Sequence, residues 1–124
     1  MTWLAIAAGG ALGSVLRHGM NGIVAHALGR PTPYATLSVN VLGCLAIGVL
    51  AGLLAAGRVQ MTGGQRAFVF VGVLGGFTTY STFGLDTFTL ANTGRAAAAF
   101  WNVAAHVVVG LGAVYAGFAL GIRA

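Results

Sequence analysis

The chain has 124 residues, 58% hydrophobic and only 6% charged, with six arginines, no lysine and a single acid, Asp86. A soluble domain carries about 25% charged residues, so this composition is that of an integral membrane protein. The formal charge of +5 comes from arginines scattered singly between apolar runs, which excludes the basic patch of a nucleic-acid binder.

Four apolar stretches of 20 or more residues follow one another, as a hydrocarbon core of roughly 30 Å requires. The first runs from about Trp3 to Ala25. It has no basic residue before Arg17, so it is read as a retained span rather than a signal peptide. Arg30-Pro31-Thr32-Pro33 marks a turn, and the second stretch, about Tyr34 to Ala56, holds no charge. After a loop from Arg58 to Arg66 comes the third, about Ala67 to Leu90. Asn92-Thr93-Gly94-Arg95 turns the chain into the fourth, about Ala96 to Ile122. These boundaries predict one all-helical transmembrane domain covering residues 1–124, with no second domain and no soluble catalytic unit. Cys44 is the only cysteine, which rules out an intrachain disulfide, and no Cys/His spacing resembles a zinc site.

Glycines at Gly9 and Gly13, Gly48 and Gly52, and Gly117 and Gly121 are four apart and share helix faces. They serve either general close packing or a specific oligomer seam. An even number of spans puts Arg58, Arg66 and Arg123 on one side of the membrane. Arg30 and Arg95 fall on the other, with Arg17 leaning toward them. So small a bias predicts insertion both ways round and pairing of inverted copies.

Several polar side chains lie at membrane depth. Thr36, Asn40 and Cys44 form one stripe on the second span, where Asn40 is either a helix–helix hydrogen bond or a donor on a polar path. Asn102 and His106 share a face of the fourth span, and each lines a pore or bonds structurally; a proton relay through His106 would need Asp86. Arg17 either snorkels to the headgroups or draws anions into a vestibule. Asp86 pairs with an arginine, caps a structure or narrows a pore mouth.

The third stretch carries Gly75-Gly76-Phe77-Thr78-Thr79-Tyr80-Ser81-Thr82-Phe83, a poor continuation of a membrane helix. Non-helical backbone at that depth is tolerated only where it is buried in protein or lines a cavity. The segment is expected to break there and to work as a pore or ion site. Tyr80 and Phe83 beside Ser81 and Thr82 place positive ring edges next to hydroxyl donors, a lining that suits a small hydrated anion. Carbonyls freed between Gly75 and Thr78 would suit a hard monovalent cation such as sodium.

These residues resemble the CrcB/Fluc family of fluoride channels. Gly9-Gly10-Ala11-Leu12-Gly13 with Arg17, Val39-Asn40-Val41-Leu42-Gly43, the Gly75–Phe83 stretch and Gly94-Arg95 carry the likeness along the whole chain. The resemblance implies an antiparallel, dual-topology homodimer in the inner membrane with two fluoride pores, exporting fluoride passively from the cytoplasm. It also implies a structural sodium held by the backbone carbonyls of Gly75 and Thr78. Asn40 would be a pore donor, and Tyr80 and Phe83 the paired aromatics, with Ser81 and Thr82 beside them. Tyr80 stands where the family usually has phenylalanine, Asp86 where glutamate is common, and Asn102 and His106 where tyrosine and serine are usual.

A small multidrug-type exporter would need a membrane-embedded carboxylate on the first, second or fourth span, and none carries one. A purely structural subunit would bury the interrupted polar segment idly, at a cost. An enzyme is excluded for want of a nucleophile–base pair or a metal cluster.

Overall fold

The computed structural model describes residues Met1 to Ala124, and every regular element in it is helical. Helix α1 covers Thr2–Ala27 and α2 covers Pro33–Ala55. Gly29, at φ 69°, takes the left-handed turn that ends α1. Thr32 then caps α2, its Oγ1 accepting from the Tyr34 N–H at 3.4 Å, with Pro33 in the first turn, where its missing N–H costs nothing.

The third span is built in pieces. A short α3 (Gly63–Arg66) starts on a capping box, in which the Gln65 N–H donates to Thr62 Oγ1 at 3.3 Å and the Thr62 N–H to Gln65 Oε1 at 2.9 Å. It runs into a π-helix over Ala67–Leu74 and a last α-turn, α4, at Gly75–Phe77. Thr78 (φ −80°, ψ 159°) and Thr79 (φ −151°, ψ 113°) are then extended. Helix α5 resumes at Tyr80–Asn92, and after Gly94, at φ 76°, α6 covers Ala96–Arg123.

The third helix is therefore broken, but at the two threonines rather than at the glycine pair. Gly75 and Gly76 stay helical, and at Gly76 a Cβ would come within 2.7 Å of the Gly10 carbonyl oxygen. That glycine is fixed by close approach to α1, not by a need to unwind.

Two glycine seams hold the helices. On the first, an added Cβ at Gly9 would strike the Phe68 carbonyl and one at Gly13 the Val73 carbonyl, both on the π-helix. On the second, Gly48 and Gly52 of α2 meet Val114 and Phe118 of α6, while Gly117 and Gly121 meet Leu45 and Val49 in return. The four-residue glycine spacing thus serves packing within one chain, backbone against backbone, where lipid offers no hydrophobic drive for helices to associate.

Pro33–Ala55, the broken run Gly63–Asn92 and Ala96–Arg123 are long and apolar enough to span a bilayer, with mean hydropathies of 2.2, 1.4 and 1.9. Helix α1 has 26 residues, about 39 Å at a rise of 1.5 Å each, and is made less apolar by Arg17, His18 and Asn21. The ends sort as four crossings require. Arg58, after α2, donates to the Ala124 carbonyl at 3.0 Å, whereas Arg30 and Arg95 line one cavity at the other end. The chain is an all-α, multi-pass membrane protein.

Candidate functional site

The break is made by a side chain from a different helix. In a continuous α-helix the Thr79 N–H would bond to the Gly75 carbonyl, four residues back. It donates instead to Asn40 Oδ1 at 2.8 Å, and Asn40 Nδ2 donates to the Thr79 carbonyl at 3.0 Å. Asn40 on α2 thereby satisfies both backbone groups of a buried residue that has left the helix. The two readings of Asn40 divide accordingly. Its carbonyl oxygen and one N–H brace the break, and its second N–H has no acceptor within the chain and is free for a ligand.

Thr79 then caps α5. Its Oγ1 accepts from the Thr82 N–H at 3.2 Å, donates to Thr82 Oγ1 at 3.0 Å, and lies 3.3 Å from Ser81 Oγ. Three hydroxyls are thus gathered at the N-terminal end of α5, where peptide N–H groups leave a partial positive charge. Beside them run the rings. Tyr80 and Phe83 have centroids 5.5 Å apart at 53°, and Phe83 and His106 of α6 4.3 Å apart at 42°. Tyr80, 83% exposed, and Ser81 face outward from the chain, so one copy does not enclose this file.

The fourth-span residues join the same track. Asn102 Nδ2 donates to Thr87 Oγ1 at 2.9 Å, and Thr87 Oγ1 donates to the Phe83 carbonyl at 2.8 Å. His106 Nδ1 lies 2.8 Å from the Asn102 carbonyl, which can only accept, so the proton of the neutral ring is on Nδ1. Nε2 is left as a buried acceptor with no partner in the chain.

Asp86 pairs with no arginine. Its Oδ2 accepts from Thr36 Oγ1 at 2.7 Å, and it borders a cavity of about 600 Å³ with His18, Asn21, Thr82 and Arg95. Of the readings open for it, pairing with an arginine is not what the structure shows. Arg17 does not line this cavity. Its Nη1 donates to the Thr78 carbonyl at 3.3 Å, which sets the guanidinium against the break rather than in a vestibule.

Thr79 and Thr87 carry much of this network; in the sequence Thr79 stood out only as part of the interrupted stretch, and Thr87 not at all. The signal for Thr79 was present, since a threonine before a resumed helix is a favoured N-cap. For Thr87 there was none, because a threonine bonding back to the carbonyl four residues earlier is common in membrane helices.

Helices that span a bilayer, a break braced by an intramembrane amide, and hydroxyls and rings along one track define a small polytopic membrane protein of the channel type. The chain belongs to the CrcB family: the family model described as "CrcB-like protein, Camphor Resistance (CrcB)" matches residues 4–118. Among its relatives, "Fluoride-specific ion channel FluC" of Paracoccus denitrificans is 50% identical over 122 residues, covering 97% of this chain and 94% of the relative. The protein of the same name from Rhodospirillum rubrum is 47% identical over 118 residues, 94% of this chain and 92% of its own length. That from Chloroflexus aurantiacus is 42% identical over 118 residues, 95% and 93% of the two chains. These relatives are named as ion channels, and the family is not one of enzymes.

Proposed function

We propose that the chain is a fluoride-selective channel that lets fluoride leave the cytoplasm passively across the inner membrane, working as an antiparallel, dual-topology homodimer with two pores. The observation that carries this reading is the file of Tyr80, Phe83 and His106 set beside the Thr79, Ser81 and Thr82 hydroxyls. Ring edges and hydroxyls replace part of an anion's hydration without a fixed cation that would hold it. The names of the relatives supply the identity of the anion. Fluoride that enters as neutral HF dissociates inside the cell, and the channel returns the ion.

A second copy is needed because Tyr80 and Ser81 lie on the outside of one chain. The near balance of arginines on the two sides supports an inverted partner. The spare Asn40 N–H would serve as a pore donor, with Asn102 next along the track and Asp86 at its mouth.

A sodium ion at the dimer centre is part of the proposal. The Gly75 carbonyl, whose amide partner is diverted to Asn40, and the Thr78 carbonyl are neutral oxygen donors with no carboxylate among them, a set that suits a monovalent cation. Thr78 already accepts from Arg17 but keeps a second lone pair. The ion would supply a structural tie between the copies.

The test is flux. Liposomes loaded with potassium fluoride and carrying the purified protein release fluoride when a potassium ionophore dissipates the charge, and chloride-loaded ones retain their chloride. Equal release of both halides, or of neither, overturns the proposal.

A further inference from the structure

Away from the break, a cavity of about 590 Å³ lies between the α1–α2 connection and the first turns of α6. Arg30 comes to it from one connection and Arg95 from the other. Both arginines are exposed, and the chain's one acid, Asp86, is outside this cavity and bonded to Thr36. Two guanidiniums therefore border one space that holds no carboxylate, Arg95 also reaching the neighbouring cavity where Asp86 stands without forming an ion pair with it. Most of the rest of the lining is apolar, with Leu37, Leu90 and Ala105 among its residues and Thr32 and Asn102 as the polar exceptions. Tyr34 and Trp101, 64% and 67% exposed, complete it, and such rings settle at the headgroup level of a bilayer.

We propose that this cavity is a binding site for an anionic phospholipid of the surrounding membrane. Arg30 and Arg95 take the headgroup phosphate in charge-assisted hydrogen bonds, for which the guanidinium fork is well shaped. An acyl chain lies against Leu37, Leu90 and Ala105. The apolar wall decides between sources of phosphate: a free phosphate ion would satisfy the arginines and leave that wall facing water. Basic pockets between membrane helices hold anionic headgroups by the same combination. The site is independent of which ion the protein conducts.

The full chain in detergent is incubated with phosphatidylglycerol or phosphatidylcholine, and retained lipid is read by native mass spectrometry. Phosphatidylglycerol is expected to be retained about 25-fold better, since each of the two arginines favours an anionic headgroup by roughly a factor of five. The preference disappears in the Arg30→Gln/Arg95→Gln double variant and survives in Arg58→Gln/Arg123→Gln, whose arginines lie at the opposite end. Independently of any arginine change, brominated phosphatidylglycerol quenches Trp101 fluorescence in a Trp3→Phe background more than brominated phosphatidylcholine does. Equal retention of the two lipids, equal loss in both double variants, equal quenching, or displacement of the lipid by millimolar inorganic phosphate overturns the site.

Discussion

The Asn40 carboxamide closes a reciprocal pair of hydrogen bonds on Thr79, accepting from its N–H at 2.8 Å and donating to its carbonyl at 3.0 Å. This is the geometry one strand offers another in a sheet, supplied here by a side chain. It allows the third span to leave the helix at membrane depth without orphaning a backbone group. The same substitution of partner releases the Gly75 carbonyl and leaves one Asn40 N–H over. Structure and proposed chemistry thus meet in one residue.

Asn40→Asp should abolish most fluoride flux. A carboxylate can still accept from the Thr79 N–H, but it cannot donate to the Thr79 carbonyl, and its charge repels an anion at the same spot. Flux is expected to fall at least about tenfold, or about 1.4 kcal/mol in the barrier, with the oligomer intact by gel filtration. Undiminished flux would remove Asn40 from the lining.

The glycine seams make a paired prediction about stability. Gly117→Ala drives a methyl into the Leu45 carbonyl, whereas Gly112→Ala, on the same helix, meets nothing within 4 Å. Overpacking of this kind costs typically 1–3 kcal/mol. Thermal unfolding in detergent should therefore drop by several degrees for Gly117→Ala and stay put for Gly112→Ala. Equal shifts would mean that the α2–α6 seam does not set stability.

How far the fold could be read from the chain follows from which interactions are local. Hydropathy is a property of each segment, so four spans and their order were visible, and so was the failure of Gly75–Phe83 as a helix. The position of the break was not. Gly75 and Gly76 are the weaker helix formers, yet they stay helical, Gly76 pressed against Gly10 of α1, while Thr79 leaves the helix because Asn40, 39 residues away, bonds both its backbone groups. The π-helical winding over Ala67–Leu74 likewise leaves no mark in a uniformly apolar run. For the site, hydroxyls and rings were legible as a stripe. The turning of Arg17 onto Thr78 and the pairing of Thr36 with Asp86 were not, since each joins residues at least 50 apart.

Arg17 bears on the proposed sodium. Its Nη1 donates to the Thr78 carbonyl at 3.3 Å, which brings a full positive charge to one of the oxygens assigned to the ion. A unit charge at 4 Å exerts about 4 kcal/mol in a medium of effective dielectric constant about 20. Arg17→Gln keeps a donor and removes the charge, so the sodium concentration that supports half-maximal flux should fall by about tenfold or more. That concentration is read by replacing sodium with a large organic cation in flux assays. A rise in it would show that the guanidinium positions the carbonyl rather than opposing the ion, and indifference of wild-type flux to sodium would dismiss the ion itself.

His106 makes the channel's behaviour with pH specific to this chain. Its Nδ1 proton is committed to the Asn102 carbonyl, and Nε2 is a buried lone pair beside the Phe83 ring. Neutral, that lone pair offers an anion nothing. Protonated, it becomes a charged donor fixed next to the route, and a charge-assisted hydrogen bond is roughly twice as strong as a neutral one. A deeper well slows departure, so flux should decline as pH is lowered and the ring gains its second proton. The groups that could imitate this are few. Helix α1 brings His18, which borders the cavity with Asp86 and Thr82, α5 brings Tyr80 and Asp86, and α2 brings Tyr34 and Cys44; the Asp86 carboxylate is engaged by Thr36. His106→Gln removes the imidazole and retains a polar side chain. Fluoride efflux, corrected for HF leaking through protein-free vesicles, should decline with pH in the wild type and stay flat in the variant. A decline shared by both would assign it to His18 or Asp86 at the neighbouring cavity, and a flat wild type would leave His106 a packing residue.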